Sequence, residues 1–255
     1  MSFDPALDEA LALIADADAE GIPLKLVGGM AVRYLCAEYP PRIREGQDLD
    51  LASTGAARKG LTSFLVDRGL VPDKNFNALY GHKQLYFRSP DNQQTIDILV
   101  DSFEMCHTLE FKDRLLRMPK TLDPTDLLLS KLQIVELNSK DVQDICYLLA
   151  KFPVADGDLL GTIGLARVGE LVSTDWGWWR TITLNLVKVH DLVTSGHEGP
   201  AGPLLPDNSE HDLLASLMKI RAYAEEVPKS GKWKLRAKIG ERKKWYQEPE
   251  EVPHD

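Results

Sequence analysis

The chain has 255 residues, 44% of them hydrophobic and 27% charged, with a formal net charge of -9. That balance excludes a disordered or fibrous chain and fits one large domain, or a compact domain with an appendage. The acidic excess excludes a protein built as a whole to coat nucleic acid, while leaving room for local basic patches.

The first expected element is a helix, with Asp4 as N-cap, Pro5 in the first turn, Leu7, Leu11 and Ile14 at helical spacing, and Gly21 as stop. The acids in this N-terminal stretch stand where a signal peptide carries basic residues, so a cytoplasmic location is the expectation. No apolar run reaches the roughly 20 residues of a membrane helix, and no membrane partner is expected. Residues 24–27 read as a short strand running into Gly28-Gly29, and residues 30–39 as a helix that ends before Pro40-Pro41.

The stretch EGQDLDLAS, residues 45–53, reads as a strand in which Asp48 and Asp50 point one way while Leu49 and Leu51 point the other. Two carboxylates sharing one spot repel unless a cation, hydrogen-bond donors or water compensate. A helix over 56–68 closed by Gly69 follows. Then comes a hairpin: a strand ending near Arg88, turn residues 89–92, and a second strand over 95–100. Asp97 is an acid inside that apolar second strand, and acids are rarely buried without a partner. Mixed strands and helices in this order predict an α+β fold.

From Asp123-Pro124 onward the pattern turns helical. One helix runs through TDLLLSKLQIVEL; the next, KDVQDICYLLAKF, is capped by Ser139 and carries Val142, Ile145 and Leu149 at helical intervals. Further helices are expected over 158–172, 176–194 and 210–226, with a Gly/Pro-rich connector before the last. Trp176 and Trp179 fall on one helix face, and packing suits them better than ligand binding; His107 likewise reads as a packed residue. Cys36, Cys106 and Cys146 are odd in number and set among apolar residues, and read as reduced core thiols. The segment KSGKWKLRAKIGERKK, residues 229–244, is strongly basic, with Trp233, Trp245 and Tyr246 as stacking surfaces before an acidic end. It reads as a solvated, partly disordered run or as an RNA contact. The resulting division is an α/β core over 1–120, a helical domain over 121–226 and a basic then acidic tail over 227–255.

Singly, the motifs are weak. Asp48 and Asp50 read as a loop-edge pair facing water, Gly28-Gly29 as a plain turn, Lys131 as a solvated helix residue, and Asp141 as a helix N-terminal acid. Asp144 reads as a solvent-facing partner of Lys140 or another base. His82, Lys83 and Arg88 lie on the expected hairpin, solvated or within reach of a nucleotide. In combination the motifs say more. A strand delivers Gly28-Gly29 to a helix start, where backbone N–H groups and the dipole hold phosphate. Adjacent strands offer Asp48, Asp50 and Asp97, a set suited to two Mg²⁺ ions about 3.5–4 Å apart, the arrangement that clamps attacking and leaving oxygens.

These residues, LVGGMAV, then QDLDLAS about twenty positions on, then TIDILVD, resemble the nucleotidyltransferase fold of the DNA polymerase β superfamily. The continuation DPTDLLLSKLQIVELNSKDVQDICYLL is similar to the helical part of the AbiEii-like branch, which includes toxins of bacterial toxin–antitoxin pairs. The resemblance spans residues 24–149. It implies an N-terminal mixed sheet followed by a helical region, and a Mg²⁺-dependent enzyme that moves NMP from an NTP to an acceptor hydroxyl. Asp48 and Asp50 would bind metal, Asp97 would complete the site and act as base, and Gly28 and Gly29 would face the triphosphate. Lys131 would neutralise phosphate charge, and Asp141 would position Lys131 or an active-site group. The chain departs from the pattern at Asn138-Ser139, where the branch often has an arginine, and at Gly-Gly-Met in place of Gly-Ser. The basic tail favours RNA or tRNA as acceptor, and the toxin branch implies an antitoxin protein partner. The rival readings are a non-catalytic nucleotide- or RNA-binding module of the same fold, and an antibiotic-type small-molecule nucleotidyltransferase.

Overall fold

The computed structural model describes residues 4–41, 48–91 and 93–248. Residues 45–47 of the aspartate stretch, turn residue Asn92 and the acidic end over 249–255 lie outside the described residues. The first helix, α1 (Pro5–Ala19), starts as its sequence dictates: the Asp4 carboxylate accepts from the Leu7 N–H at 3.2 Å, and Ala10, Ile14 and Ala17 form the buried stripe.

A five-stranded mixed sheet follows, made of β1 (Lys25–Leu26), β2 (Leu49–Ser53), β3 (Val71–Pro72), β4 (Gln84–Arg88) and β5 (Thr95–Val100). Their spatial order is β1-β2-β5-β4-β3; β2 and β5 are parallel and the other pairs antiparallel. Three helices punctuate it: α2 (Gly28–Leu35), α3 (Arg58–Asp67) and α4 (Lys74–Tyr80). α2 is shorter than expected because Cys36 leaves helical geometry, at φ -116° and ψ 45°, and Arg33 donates to the carbonyls of Ala37 and Tyr39. Strand β5 alternates as a half-buried strand should: Ile96, Ile98 and Val100 are buried while Thr95, Asp97 and Leu99 keep partial access. A small hairpin, β6 (Ser102–Glu104) with β7 (Thr108–Glu110), leads into the helical half.

That half contains α5 (Pro124–Leu132), α6 (Ser139–Lys151), α7 (Leu165–Thr174), α8 (Trp176–Thr194), α9 (Leu213–Glu226) and α10 (Gly231–Ile239). The fold is therefore α+β, with the mixed sheet first and helices after it. Several bounds differ from the sequence reading: α5 ends at Leu132 rather than 137, where Asn185 Nδ2 donates to the carbonyls of Leu132 and Ile134, and α9 starts at Leu213 rather than 210, behind the Asp212 cap. Asn138, not Ser139, caps α6, its side chain accepting from the Asp141 N–H at 2.9 Å. α7 starts at Leu165 rather than 158, because Gly161 sits at φ +73° and the Asp158 carboxylate is held by Arg114 and Arg117. Leu127, Leu128 and Leu129 of α5 and Ile145, Leu148 and Leu149 of α6 are fully buried, each contributing roughly 1.5–3 kcal/mol by leaving water. The three cysteines are free and buried, and burial pushes the Cys146 thiol up to about 12. No helix among the described residues is long and apolar enough to cross a membrane.

Candidate functional site

The site begins where β1 hands over to α2. The Val27 N–H donates to the Asp50 carbonyl at 3.1 Å, so the chain leaves β1 still tied to β2. Gly28 then takes φ +63°, and a Cβ there would lie 2.5 Å from Asp50 Oδ2. Only glycine fits both the backbone angle and the approaching carboxylate. The N-cap of α2 is Val27, whose side chain makes no capping bond, which leaves the first-turn N–H groups open to water or a ligand acceptor.

Strand pairing supplies the second acid. Asp50 and Asp97 are register partners on parallel neighbours β2 and β5, which places their Cα atoms about 4.8 Å apart with both side chains on one sheet face. Asp48 precedes β2 and accepts a hydrogen bond from the Thr95 hydroxyl. Asp97 accepts from Gln84 Nε2 at 2.6 Å. Neutral donors on β4 and β5 thus share the work of stabilising the clustered carboxylates.

Asp50 stands on the wall of two cavities. The larger, about 730 Å³, is also lined by Gly28, Asp97, Lys83, Lys131 and Asp141. The smaller, about 180 Å³, is lined by Gly29, Asp48, Arg33, Lys140 and Asp144. The larger one is within the size range of small-ligand sites. Across it from the sheet, Lys131 Nζ bridges Asp141 at 2.9 Å and Asp144 at 3.0 Å. Burial pulls the Lys131 pKa down, but the two carboxylates outweigh it and hold the ammonium above the usual lysine value. Asp144 does not face solvent as the sequence reading had it: it is 2% exposed, and the base it meets across the α5–α6 packing is Lys131, completing this buried triad.

Of the hairpin residues, Lys83 reaches the larger cavity and pairs with Glu104 at 2.6 Å, whereas Arg88 lies over the Tyr86 ring. His82 is exposed and outside the cavity wall. Gln84 and Thr95 escaped sequence reasoning because their roles depend on strand register. The helix α4 also did. It brings Phe76 against Tyr86, the β4 partner of Asp97, and with Tyr80 supplies aromatic wall to the larger cavity.

The donor set of Asp48, Asp50 and Asp97 is all oxygen, the chemistry preferred by Mg²⁺. Among the described residues no three or more His, Cys, Asp or Glu side chains are gathered closely enough to form a ready-made metal cluster. Asp50 and Asp97 stand side by side, with Asp48 bound to Thr95.

No protein-family model matches the chain, and no curated protein matches it in sequence. Among solved structures, it is similar to the antibiotic-resistance factor ANT(2'')-Ia at 14% identity and TM-score 0.37, covering 56% of this chain and 80% of that one. It is also similar to an antigenic nucleotidyltransferase-like protein from Paracoccidioides brasiliensis, at 13% identity and TM-score 0.40, covering 83% and 99%. A third likeness is to a STING-associated CdnE c-di-GMP synthase from Capnocytophaga granulosa, at 12% identity and TM-score 0.26, covering 91% and 80%. Every one of these TM-scores is below 0.5, a level that fixes neither family nor function.

Proposed function

We propose that the protein is a divalent-metal-dependent nucleotidyltransferase that moves NMP from an NTP to an acceptor hydroxyl, with an RNA end as the favoured acceptor. The observation that carries this reading is the placement of Asp50: its carboxylate packs against Gly28 at the uncapped start of α2, with Asp97 in register beside it on a cavity wall. A phosphate acceptor suits the α2 N–H groups, and a polyanion beside paired carboxylates calls for cations between them.

Asp48, Asp50 and Asp97 would hold Mg²⁺, two ions in the full reading. When bound, such ions neutralise triphosphate charge and lower the pKa of the acceptor hydroxyl. The chain's own residues do the rest. Gly28 and Gly29 seat phosphate oxygens on backbone N–H groups. Asp97, oriented by Gln84, takes the proton from the acceptor hydroxyl as its oxygen bonds to the α-phosphorus and the α–β phosphoanhydride bond breaks, releasing pyrophosphate. Lys131 has three N–H donors, two of them committed to Asp141 and Asp144, and offers the third toward phosphate from a fixed position. Holding donor and acceptor in line is the main rate contribution expected from such a frame. A toxin role with an antitoxin partner extends the sequence resemblance and has no separate support in the site.

The test is label transfer from each of the four α-labelled NTPs, with Mg²⁺, to total RNA and protein, with Asp50→Asn as control. Label on RNA that disappears in the variant is the expected result. Transfer that persists undiminished in both Asp50→Asn and Asp97→Asn would overturn the assignment.

A further inference from the structure

The basic C-terminal segment is not loose. α10 opens with the Ser230 hydroxyl accepting from the Trp233 N–H at 3.1 Å, and the chain beyond it returns across the start of α8. Three contacts fasten it there. Trp245 Nε1 donates to the Thr181 hydroxyl at 3.1 Å, the Gln247 N–H donates to the Cys106 carbonyl at 2.9 Å, and the Trp245 carbonyl passes so close to Gly177 that a Cβ would meet it at 2.5 Å.

This return path closes a third cavity, of about 450 Å³, between the α8 start and the tail. Its wall includes Trp176, Trp233, Trp245 and Tyr246, and three cations, Lys232, Arg236 and Lys244. The Arg236 guanidinium lies 4.7 Å over the Trp176 ring and is fixed by donating to the carbonyls of Gly240 and Lys243. Glu241, the acid nearest Arg236 and Lys244 in sequence, is paired with Arg180, and the Trp233 indole N–H is buried without an acceptor. The one ion pair of Lys244, with Glu248, is exposed and of little energetic weight. Asp175 also lines the cavity, its Oδ1 capping α8 through the N–H groups of Gly177 and Trp178, so the three cations outnumber one wall carboxylate. The surrounding segment 229–244 carries eight Lys/Arg against the single acid Glu241, in a chain whose net charge is -9.

Position matters as much as composition. Gln247 lines both this cavity and the 730 Å³ carboxylate cavity, while neighbours Met105 and Cys106 line one each. The two spaces therefore share a wall.

We infer that the aromatic-basic cavity binds single-stranded nucleic acid, stacking bases on the half-buried rings of Trp233, Trp245 and Tyr246 and pairing phosphates with Lys232, Arg236 and Lys244. A strand held there passes Gln247 and presents its terminal hydroxyl to Asp97. Sequence-tolerant stacking plus cationic backbone contacts is the combination by which single strands are held. The binding itself stands on this cavity alone; the presentation of the hydroxyl rests on the nucleotidyl-transfer reading.

The experiment measures anisotropy of a fluorescein-labelled 12-nucleotide RNA, the same sequence as DNA, and its RNA duplex, titrated with the full chain at several salt concentrations. The variants are Lys232→Glu/Lys244→Glu, Tyr246→Ala, and Lys219→Glu as a remote charge control. Lys219, Lys232 and Lys244 are exposed and Tyr246 is half-buried, so each variant should keep the far-UV circular dichroism of the wild type. Single strands should bind more tightly than duplex. The double charge reversal should weaken binding at least tenfold and reduce the salt slope by about 1.4, the loss of two phosphate contacts on a single strand. Tyr246→Ala should cost roughly fivefold or more, and Lys219→Glu should change nothing. RNA bound better than DNA would add a 2′-hydroxyl contact; equal affinity would assign recognition to stacking and phosphate. Duplex bound as tightly as single strand, or equal affinity in wild type and Lys232→Glu/Lys244→Glu, overturns the inference. Oligonucleotide binding without label transfer would instead keep this site and remove the enzymatic reading.

Discussion

Replacing Lys131 by Met tests the buried triad behind the larger cavity. Lys131, Asp141 and Asp144 side chains are 13%, 9% and 3% exposed, with contacts of 2.9 and 3.0 Å. At an effective dielectric of 20, each contact is worth about 5.5 kcal/mol of gross attraction, most of it offset by desolvation. Lys131→Met removes the cation and leaves two carboxylates facing one another, so the expected loss is about 3–5 kcal/mol, a large share of a typical domain's stability. Adding Asp144→Asn removes one leftover charge and should restore at least about 1 kcal/mol relative to the single variant. The exposed pair Lys219–Asp156, at 3.3 Å with 48% and 89% exposure, provides the contrast; Lys219→Met should stay within about 0.5 kcal/mol of wild type. Equilibrium urea unfolding followed by tryptophan fluorescence measures all four proteins. A Lys131→Met loss under about 1 kcal/mol, or a further loss on adding Asp144→Asn, would refute the reasoning.

Three further outcomes follow from the geometry. Gly28→Ala should cost about 1–2 kcal/mol of stability for its left-handed backbone and abolish label transfer by displacing Asp50, whereas Gly21→Ala, at φ +72° with open space around it, should pay the backbone cost and keep activity. His107 is buried against Trp178 with Nε2 2.9 Å from the Thr181 hydroxyl, and burial, opposed by Asp175, pushes its pKa down to about 4. The folded state therefore binds fewer protons than the unfolded chain between about pH 6.5 and 4, so this contribution is full above that window and falls as pH is lowered, by roughly 2 kcal/mol at pH 5. In His107→Gln the stability difference between pH 7 and pH 5 should shrink by about that amount in paired urea titrations. Gln84→Leu should leave the sheet intact yet reduce transfer, read as a shifted pH profile, because Asp97 loses its orienting donor.

The legible parts of the fold were those marked by local chemistry. Asp4-Pro5 and Asp123-Pro124 announce their helices through cap and first turn, and the alternation of Ile96, Asp97 and Ile98 declares a strand with one unusual face. α10 was hidden because its residues form no apolar stripe, leaving only end signals, the Ser230 cap and the Gly240 stop. α4 was too short for a periodic pattern, although Asp73 accepts from the Phe76 N–H at 2.9 Å as a cap should. At the site, the pairing of Asp50 with Asp97 needs a parallel register between strands 47 positions apart, and the burial of Asp144 needs a lysine from another helix. Neither is written in local sequence. Charge patterning along α6 offers Asp144 a base on its own helix, and only packing of α5 against α6 brings Lys131 to it.

The most direct test of the central claim is Mn²⁺ binding, followed by electron paramagnetic resonance in the presence of a non-hydrolysable NTP analogue. Wild type would be compared with Asp48→Asn, Asp50→Asn and Asp97→Asn. If these carboxylates hold the catalytic cations, wild type binds Mn²⁺ and each substitution weakens it at least about tenfold, the scale on which metal sites respond to altered ligation. Equal Mn²⁺ affinity in all four proteins would contradict the account.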